Sequence, residues 1–343
     1  MKIAVIGAGA IGNLVAGYLK QKEEEVCLVG RPDTVKAVNE HGLKISGVRG
    51  VFNISLRAFE RLSLKPDLAI LACKTQDIEL VLKDSAALLK EAALVSVQNG
   101  VRAEEIIGRF IPKENIISSI VMFGSTYLEP AKVVHNFEGS WIIGKLDRPG
   151  PDRKLIDISM VLNKIFPVVI SEDIKGMKYL KIFVNANNCL AAILGVSMQE
   201  AFSDFNISRI SIAIWREGFD IVSTAGIKLV SLPGFPVENI TKLTSLPPEE
   251  AAKIFSGIMS KLSKEPLYGS ILQSIKRQRS SEIDYINGEF TALAKQYGIP
   301  APLNSKLVEM VHQVEKNKKF FTKEELMTAT KELLDSNGGY PLS

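Results

Sequence analysis

The run Gly7-Ala8-Gly9-Ala10-Ile11-Gly12 fits G-x-G-x-x-G, and it sits where a short β-branched strand gives way to a helical pattern. In that setting the spacing has a direct chemistry. Gly7 permits a tight turn, Gly9 lets the main chain approach a pyrophosphate, and Gly12 lets the helix pack closely on the strand. The helix begins near Ala10 and Ile11, and its first N–H groups are free to bind the anion. The end of the next strand selects between dinucleotides. An acidic residue there would bond the ribose hydroxyls and repel a 2′-phosphate, but this chain has Gly30-Arg31, and Arg31 can clasp a phosphate bidentately. Asp33 argues more weakly for the unphosphorylated form. The expected cofactor is therefore NADPH. The plainer alternatives are a glycine turn that binds nothing and a solvated charge at Arg31.

The elements around this turn are those of an α/β sheet. Ile3–Ile6 and Glu25–Val29 read as strands flanking a helix at Ile11–Leu19, which is a β–α–β unit opening a parallel sheet. Leu68–Ala72 and Ala93–Val97 continue the alternation, with Leu80–Leu89 as the helix between them. Ile116–Met122, Lys132–Asn136 and Ser140–Gly144 read as strands with little helix between them, so the sheet is expected to finish antiparallel. Lys145–Asp152 is a loop rich in Pro, Gly and charge. Pro167–Ile170 is a strand able to return to the first sheet, which places the domain boundary near Glu172. Beyond it the pattern is helical: Ile174–Leu194, Phe205–Ala225, Pro248–Ser263, Ser270–Tyr297 and Leu303–Lys316. Thr322–Ser336 opens with a capping pattern, Thr322 followed by Glu325.

Composition excludes several functions. The 343 residues suit two domains. A net charge of +4, from 42 basic and 38 acidic residues, is too mild for a nucleic-acid or membrane partner but does not repel an anionic substrate. Cys27, Cys73 and Cys189 form no C-x-x-C pair, and His41, His135 and His312 stand apart, so neither a disulfide framework nor a metal site is expected. Glycines interrupt the apolar start and no long apolar run follows, so no signal peptide or membrane span is expected, and the expected compartment is the cytoplasm.

Several blocks taken together resemble the ketopantoate reductase family. They are the GAGAIG turn with Arg31, CKTQD around Lys74, QNGV around Asn99, KxxxN at Lys181 and Asn185, and SILQSIKRQRSSEIDYING from Ser270 to Gly288. The last block is the most specific. The resemblance covers the chain up to the tail after Lys316. It implies an α/β Rossmann-type NADP-binding domain (1–171) followed by an all-α catalytic domain (172–343). It also implies reduction of 2-dehydropantoate (ketopantoate) to pantoate on the route to pantothenate and coenzyme A. The oligomer it allows is a homodimer, although no stretch marks an interface.

Reducing a 2-oxo acid needs a hydride donor facing the carbonyl carbon, a proton donor for the alkoxide, and groups that hold the carboxylate. The resemblance implies that Lys181 is the general acid; it lies in the apolar run LKIFVNANN rather than on a plainly polar face. Glu282 would hold the substrate hydroxyl and the lysine, and its ordinary alternative is a helix carboxylate paired with Arg279. Asn99 would position cofactor and carbonyl, or simply serve its Asn-Gly turn. Lys74 would touch cofactor or substrate. Ser270 would bind the carboxylate, or cap a helix. Asn185, four residues after Lys181, shares its helix face and would bond the hydroxyl or keto oxygen.

One position departs from the family pattern. Where a second Asn usually follows four residues after the first, this chain has Cys189, preceded by Asn187 and Asn188. On a regular helix Asn188 points about 20° from Lys181 and Cys189 about 80° away. Either Asn188 supplies the contact, or the pocket takes a different small 2-oxo acid. A non-catalytic dinucleotide sensor is a further alternative, but it would have no need of Lys181 and Glu282. The tail at Thr322–Ser336 reads as an amphipathic helix packing on the second domain or on a partner subunit, or equally as a plain surface helix.

Overall fold

Strand β1 (Lys2–Ile6) buries Ile3, Ala4, Val5 and Ile6 in succession, as a central parallel strand covered on both faces must. It stands in the first of two compact units, Met1–Lys175 and Gly176–Ser343. The structure is a computed structural model that describes residues 1–147, 150–261, 263 and 265–336.

In the first unit β1 is followed by α1 (Ala10–Gln21), β2 (Glu25–Val29), α2 (Pro32–His41), β3 (Leu43–Gly47), β4 (Phe52–Ile54), β5 (Arg57–Phe59) and β6 (Leu68–Leu71). Then come α3 (Ile78–Leu89), β7 (Ala93–Ser96), α4 (Ala103–Ile107), β8 (Ile116–Val121), β9 (Gly124–Glu129), β10 (Lys132–Phe137), β11 (Trp141–Gly144), α5 (Arg153–Leu162) and β12 (Val168–Ser171). The main sheet has the order β12-β11-β8-β7-β6-β1-β2-β5. All its pairs are parallel except β8 with β11. The strand order reverses at β1, with β2 on one side and β6 on the other, which opens a crevice at their carboxyl ends.

One expectation changes here. The 132–136 strand leaves the main sheet: β10 pairs with β3 and β9 in a second sheet of order β4-β3-β10-β9. That sheet lies against α1, where a Cβ on Gly17 would come within 2.5 Å of Ile45 Cδ1. Tyr18 Oη and His135 Nδ1 share a hydrogen bond of 2.9 Å across the same contact. The returning strand at 167–170 is present as β12, parallel to β11.

The second unit is helical: α6 (Ile174–Ala186), α7 (Asn188–Leu194), α8 (Met198–Ser203), α9 (Phe205–Thr224), α10 (Glu238–Ser245), α11 (Pro248–Met259), α12 (Ser270–Lys276), α13 (Asn287–Tyr297), α14 (Pro302–Asn317) and α15 (Lys323–Ser336). Helix α9 is its hub, touching α8, α10, α11, α13, α14 and α15. Its stripe of Ile207, Ile210, Ile214 and Ile221 is buried, and Asp204 caps it by accepting from the N–H groups of Asn206 and Ile207. Glu217 on α9 caps α14 from a distance, accepting from Leu303 N–H (2.9 Å), Asn304 N–H (2.8 Å) and Asn304 Nδ2 (2.9 Å).

The stretch 270–297 is not one helix. It breaks after Lys276, with Gln278 at φ 54°, and resumes only at Asn287. The run 174–194 breaks at Asn187, where the Phe183 carbonyl, four residues earlier, accepts Trp215 Nε1–H at 2.8 Å. A side chain that enters the helical ladder in this way opens it locally. The expected capping box is formed: Thr322 N–H donates to Glu325 Oε2 (2.7 Å) and Glu325 N–H to Thr322 Oγ1 (3.2 Å). Among the described residues no helix is long and apolar enough to cross a membrane.

Candidate active site

The first unit carries its candidate residues along one edge. The Gly7–Gly12 turn follows β1, Arg31 follows β2, Lys74 follows β6 and Asn99 follows β7. Because β7, β6, β1 and β2 are neighbours in that order, the four segments line the carboxyl edge over three strand spacings, roughly 14 Å.

Each glycine of the turn has its own reason. Gly7 has φ +114°, and a Cβ there would stand 2.3 Å from Cys73 N. A Cβ on Gly12 would stand 1.9 Å from Gly7 O, so helix and turn close on each other. Around Gly9 a Cβ would meet nothing within 4 Å, so the backbone faces open space. Gly9 precedes α1 without a side-chain cap, which leaves the first-turn N–H groups at Ala10 and Ile11 to an outside acceptor. This arrangement fits the pyrophosphate of a dinucleotide.

Arg31 is exposed at the extended residue before α2. Asp33 is engaged locally, accepting from Thr34 N–H at 2.8 Å. Gly30 is needed at this corner because a Cβ would stand 2.6 Å from Ala8 Cβ. Lys74, half-buried, starts the 3₁₀ turn Thr75–Asp77 ahead of α3. Asn99 is half-buried and followed by Gly100 at φ 81°, so the turn geometry of the Asn-Gly pair is real. Cys73 is half-buried at this edge, while Cys27 and Cys189 are buried, and none of the three is in a disulfide. Gln98, which the motif drew no attention to by itself, is 5% exposed and holds the carbonyls of Leu71, at the end of β6, and of Cys73 just after it.

The second unit carries the rest. Lys181 and Asn185 lie four residues apart on α6, both half-buried. Loss of water around the Lys181 ammonium lowers its pKa from 10.5 to about 8. Asn188 opens α7 after the break, and its side chain lies against Gly269, the residue before Ser270. Ser270 is exposed and opens α12, but the cap position belongs to Gly269 and no side chain fills it, so Ser270 is not a helix cap. Glu282 is half-buried ahead of the 3₁₀ turn Ile283–Tyr285, in the loop between α12 and α13. It is therefore not a helix carboxylate at i+3 from Arg279. That loop is tied to α14, since Glu315 accepts from Ser281 N–H at 2.6 Å.

Cys189 stands at the position of the missing Asn. Its thiol is fully buried, and burial pushes its pKa far up, against the smaller opposing effect of hydrogen bonds that include the Asn287 side chain. Asn187 and Asn188 are buried too, and Asn187 Nδ2 and Oδ1 and Asn188 Oδ1 have no protein partner. Among the described residues no group of His, Cys, Asp or Glu could hold a metal ion.

A largely parallel sheet with an open glycine turn at its reversal point, followed in the chain by an all-helical unit, has the architecture of the Rossmann-type dinucleotide-binding class. The chain belongs to the ketopantoate reductase family. The family model described as ketopantoate reductase PanE/ApbA matches residues 3–148, and its C-terminal companion matches residues 173–315. The 2-dehydropantoate 2-reductase of Pyrococcus abyssi is 30% identical over 307 residues, 89% of this chain and 94% of its own length. That of Pyrococcus horikoshii is 30% identical over 315 residues, 91% of this chain and 96% of its own. Among solved structures, a ternary complex of D-mandelate dehydrogenase with NADH and anilino(oxo)acetate superposes with a TM-score of 0.79 at 27% identity, covering 92% of this chain and 99% of that one. A PanE/ApbA family ketopantoate reductase from Ralstonia eutropha JMP134 shares the fold, with a TM-score of 0.78 at 22% identity and coverage of 93% and 99%.

Proposed function

We propose that this chain reduces 2-dehydropantoate to pantoate with NADPH, serving pantothenate and coenzyme A synthesis in the cytoplasm, as a homodimer. Residues 1–171 hold the cofactor and residues 172–343 supply the catalytic side chains. The observation that supports this reading most directly is Lys181, a desolvated ammonium with a pKa near 8 in a chain of this family. A proton donor is most effective when its pKa lies close to the working pH.

When bound, NADPH supplies a hydride from nicotinamide C4. The Gly7–Gly12 turn, with Ala10 and Ile11, holds the pyrophosphate, and Arg31 holds the 2′-phosphate. Lys74 and Asn99 steady the nicotinamide end. Lys181 gives its proton to the oxygen at C2 as the hydride arrives, and its charge stabilises that oxygen beforehand. Ser270 binds the carboxylate, Asn185 and Asn188 bond the hydroxyl or keto oxygen, and Glu282 orients the lysine and the hydroxyl. The test is NADPH oxidation, followed by absorbance, with ketopantoate and other 2-oxo acids in parallel, repeated with NADH. Absence of ketopantoate turnover would sink the assignment.

A second reading has specific support. Cys189 stands where a second Asn is usual and turns its thiol into the core, and the D-mandelate dehydrogenase complex pairs NADH with an aryl-bearing oxo acid. On this reading the chain reduces a more apolar 2-oxo acid. Turnover of phenylglyoxylate at least tenfold above ketopantoate would favour it.

A further inference from the structure

Strands β6 and β7 pair in parallel up to Leu71 and Ser96, and past that rung the main-chain ladder fades: Val97 N–H reaches Leu71 O only at 3.3 Å. The next segments are those that carry Lys74 and Asn99. One side chain takes over where the ladder stops. Gln98 Nε2 donates to Leu71 O at 2.7 Å and to Cys73 O at 2.9 Å, and Gln98 Oε1 accepts from Ser96 Oγ at 2.7 Å. Ser119 Oγ then donates to Ser96 O at 2.7 Å and anchors the far side.

Both Nε2 protons of Gln98 are thus spent on the Leu71–Cys73 segment, and its oxygen is spent on its own strand. An amide offers two donors and an acceptor in one plane, so this bridge fixes distance and orientation together. Cys73 immediately precedes Lys74, and Gln98 immediately precedes Asn99. The same Cys73 backbone presses on the glycine turn, where a Cβ on Gly7 would stand 2.3 Å from Cys73 N.

We propose that Gln98 is a positioning residue that sets the separation between the Lys74 and Asn99 segments, and through it the alignment of the nicotinamide end for hydride transfer. The inference rests on the proposed reductase activity. Gln98 itself touches no reacting atom. Its contribution is geometric, and misplacement by a fraction of an ångström at a hydride-transfer site is costly in rate.

The test compares wild type with Gln98→Leu and Gln98→Glu, using the 2-oxo acid that wild type turns over. NADPH affinity, kcat, KM and the primary isotope effect with NADPH deuterated at the transferred C4 position are measured. Both variants are expected to lower kcat at least tenfold and raise the isotope effect toward its intrinsic value, with NADPH affinity changed less than threefold. The carboxylate of Gln98→Glu keeps the shape but cannot donate to both carbonyls, so it decides the matter if Gln98→Leu does not fold. Unchanged kcat and isotope effect in a folded variant overturn the inference while leaving the activity intact. No turnover by wild type with any 2-oxo acid overturns both.

Discussion

A Cβ built on Gly269 would stand 3.0 Å from both Cβ and Cγ of Asn188, so the residue before α12 gives its side-chain space to that asparagine. Ser270 follows directly, which brings two of the candidate substrate ligands onto one corner of the helical unit. Gly269→Ala forces the Asn188 side chain aside. We expect a three- to tenfold rise in KM for the 2-oxo acid, with NADPH affinity unchanged. Asn188→Ala loses one hydrogen-bonding partner, worth about 1–3 kcal/mol. If both act on the same contact, the double variant is no worse than Asn188→Ala alone, and steady-state kinetics of the four proteins decides this.

Lys181 makes a pH prediction. With its pKa near 8, the ammonium is mostly charged at neutral pH and loses its proton as the pH rises through 8. The reduction rate, kcat/KM, is expected to be flat below that point and to fall about tenfold per pH unit above it. Lys181→Ala removes the limb and lowers kcat by orders of magnitude, while NADPH binding barely changes. A Lys181→Ala variant with near-wild-type turnover would remove the lysine from the mechanism.

The same group affects stability. The unfolded chain keeps this proton up to about 10.5 and the folded chain only to about 8, so protonation favours unfolding between these values. The drop corresponds to a cost of at most about 3 kcal/mol at pH 7, relieved as the pH climbs from 8 to 10.5. Lys181→Met should therefore be more stable than wild type at pH 7 and lose that advantage by pH 10.5. Urea unfolding at the two pH values measures the difference.

Arg31 is exposed and Asp33 is turned to its own helix, so the phosphate preference should rest on the arginine alone. Arg31→Ala is expected to raise KM for NADPH ten- to a hundredfold, about 1.4–2.8 kcal/mol, and to leave KM for NADH nearly unchanged. Equal losses with both cofactors would mean that Arg31 holds something other than the 2′-phosphate.

What the sequence makes legible depends on how local the cause is. The glycine turn can be read because its causes are local: Gly7 and Gly12 answer close contacts within the β1–α1–β6 corner, and Gly9 leaves the backbone open. The second sheet is harder, because its edge strand β4 is only three residues long and β10 pairs with β3 from far along the chain. The break at Asn187 carries no Gly or Pro; its cause is the indole of Trp215, which reaches the Phe183 carbonyl from another helix. The break at 277–286 hides behind continuing apolar periodicity, with Gln278 in the left-handed region that Gly usually fills. Gln98 reads as an ordinary neighbour of an Asn-Gly turn, and only the parallel pairing of β6 with β7 brings the carbonyls of Leu71 and Cys73 to it.

The tail makes the last prediction. The matched family region ends at 315, yet α15 continues and docks on α14 and α9 with Leu326 and Thr330 fully buried. Phe320 lies against Gly195, where a Cβ would stand 2.6 Å from its ring and φ is +75°. Phe321 N–H donates to Ile193 O at 3.0 Å, and Lys323 pairs with Asp204, the cap of α9. The tail thus clamps the carboxyl end of α7, the helix whose first residue is Asn188. Phe320→Ala removes a half-buried ring, which we expect to cost about 1–3 kcal/mol and to lower Tm by about 3–10 °C. Ending the chain at Lys316 should cost more and should also raise KM for the 2-oxo acid, because α7 loses its anchor. A truncated chain with wild-type Tm and KM would show that the tail is only an appended surface helix.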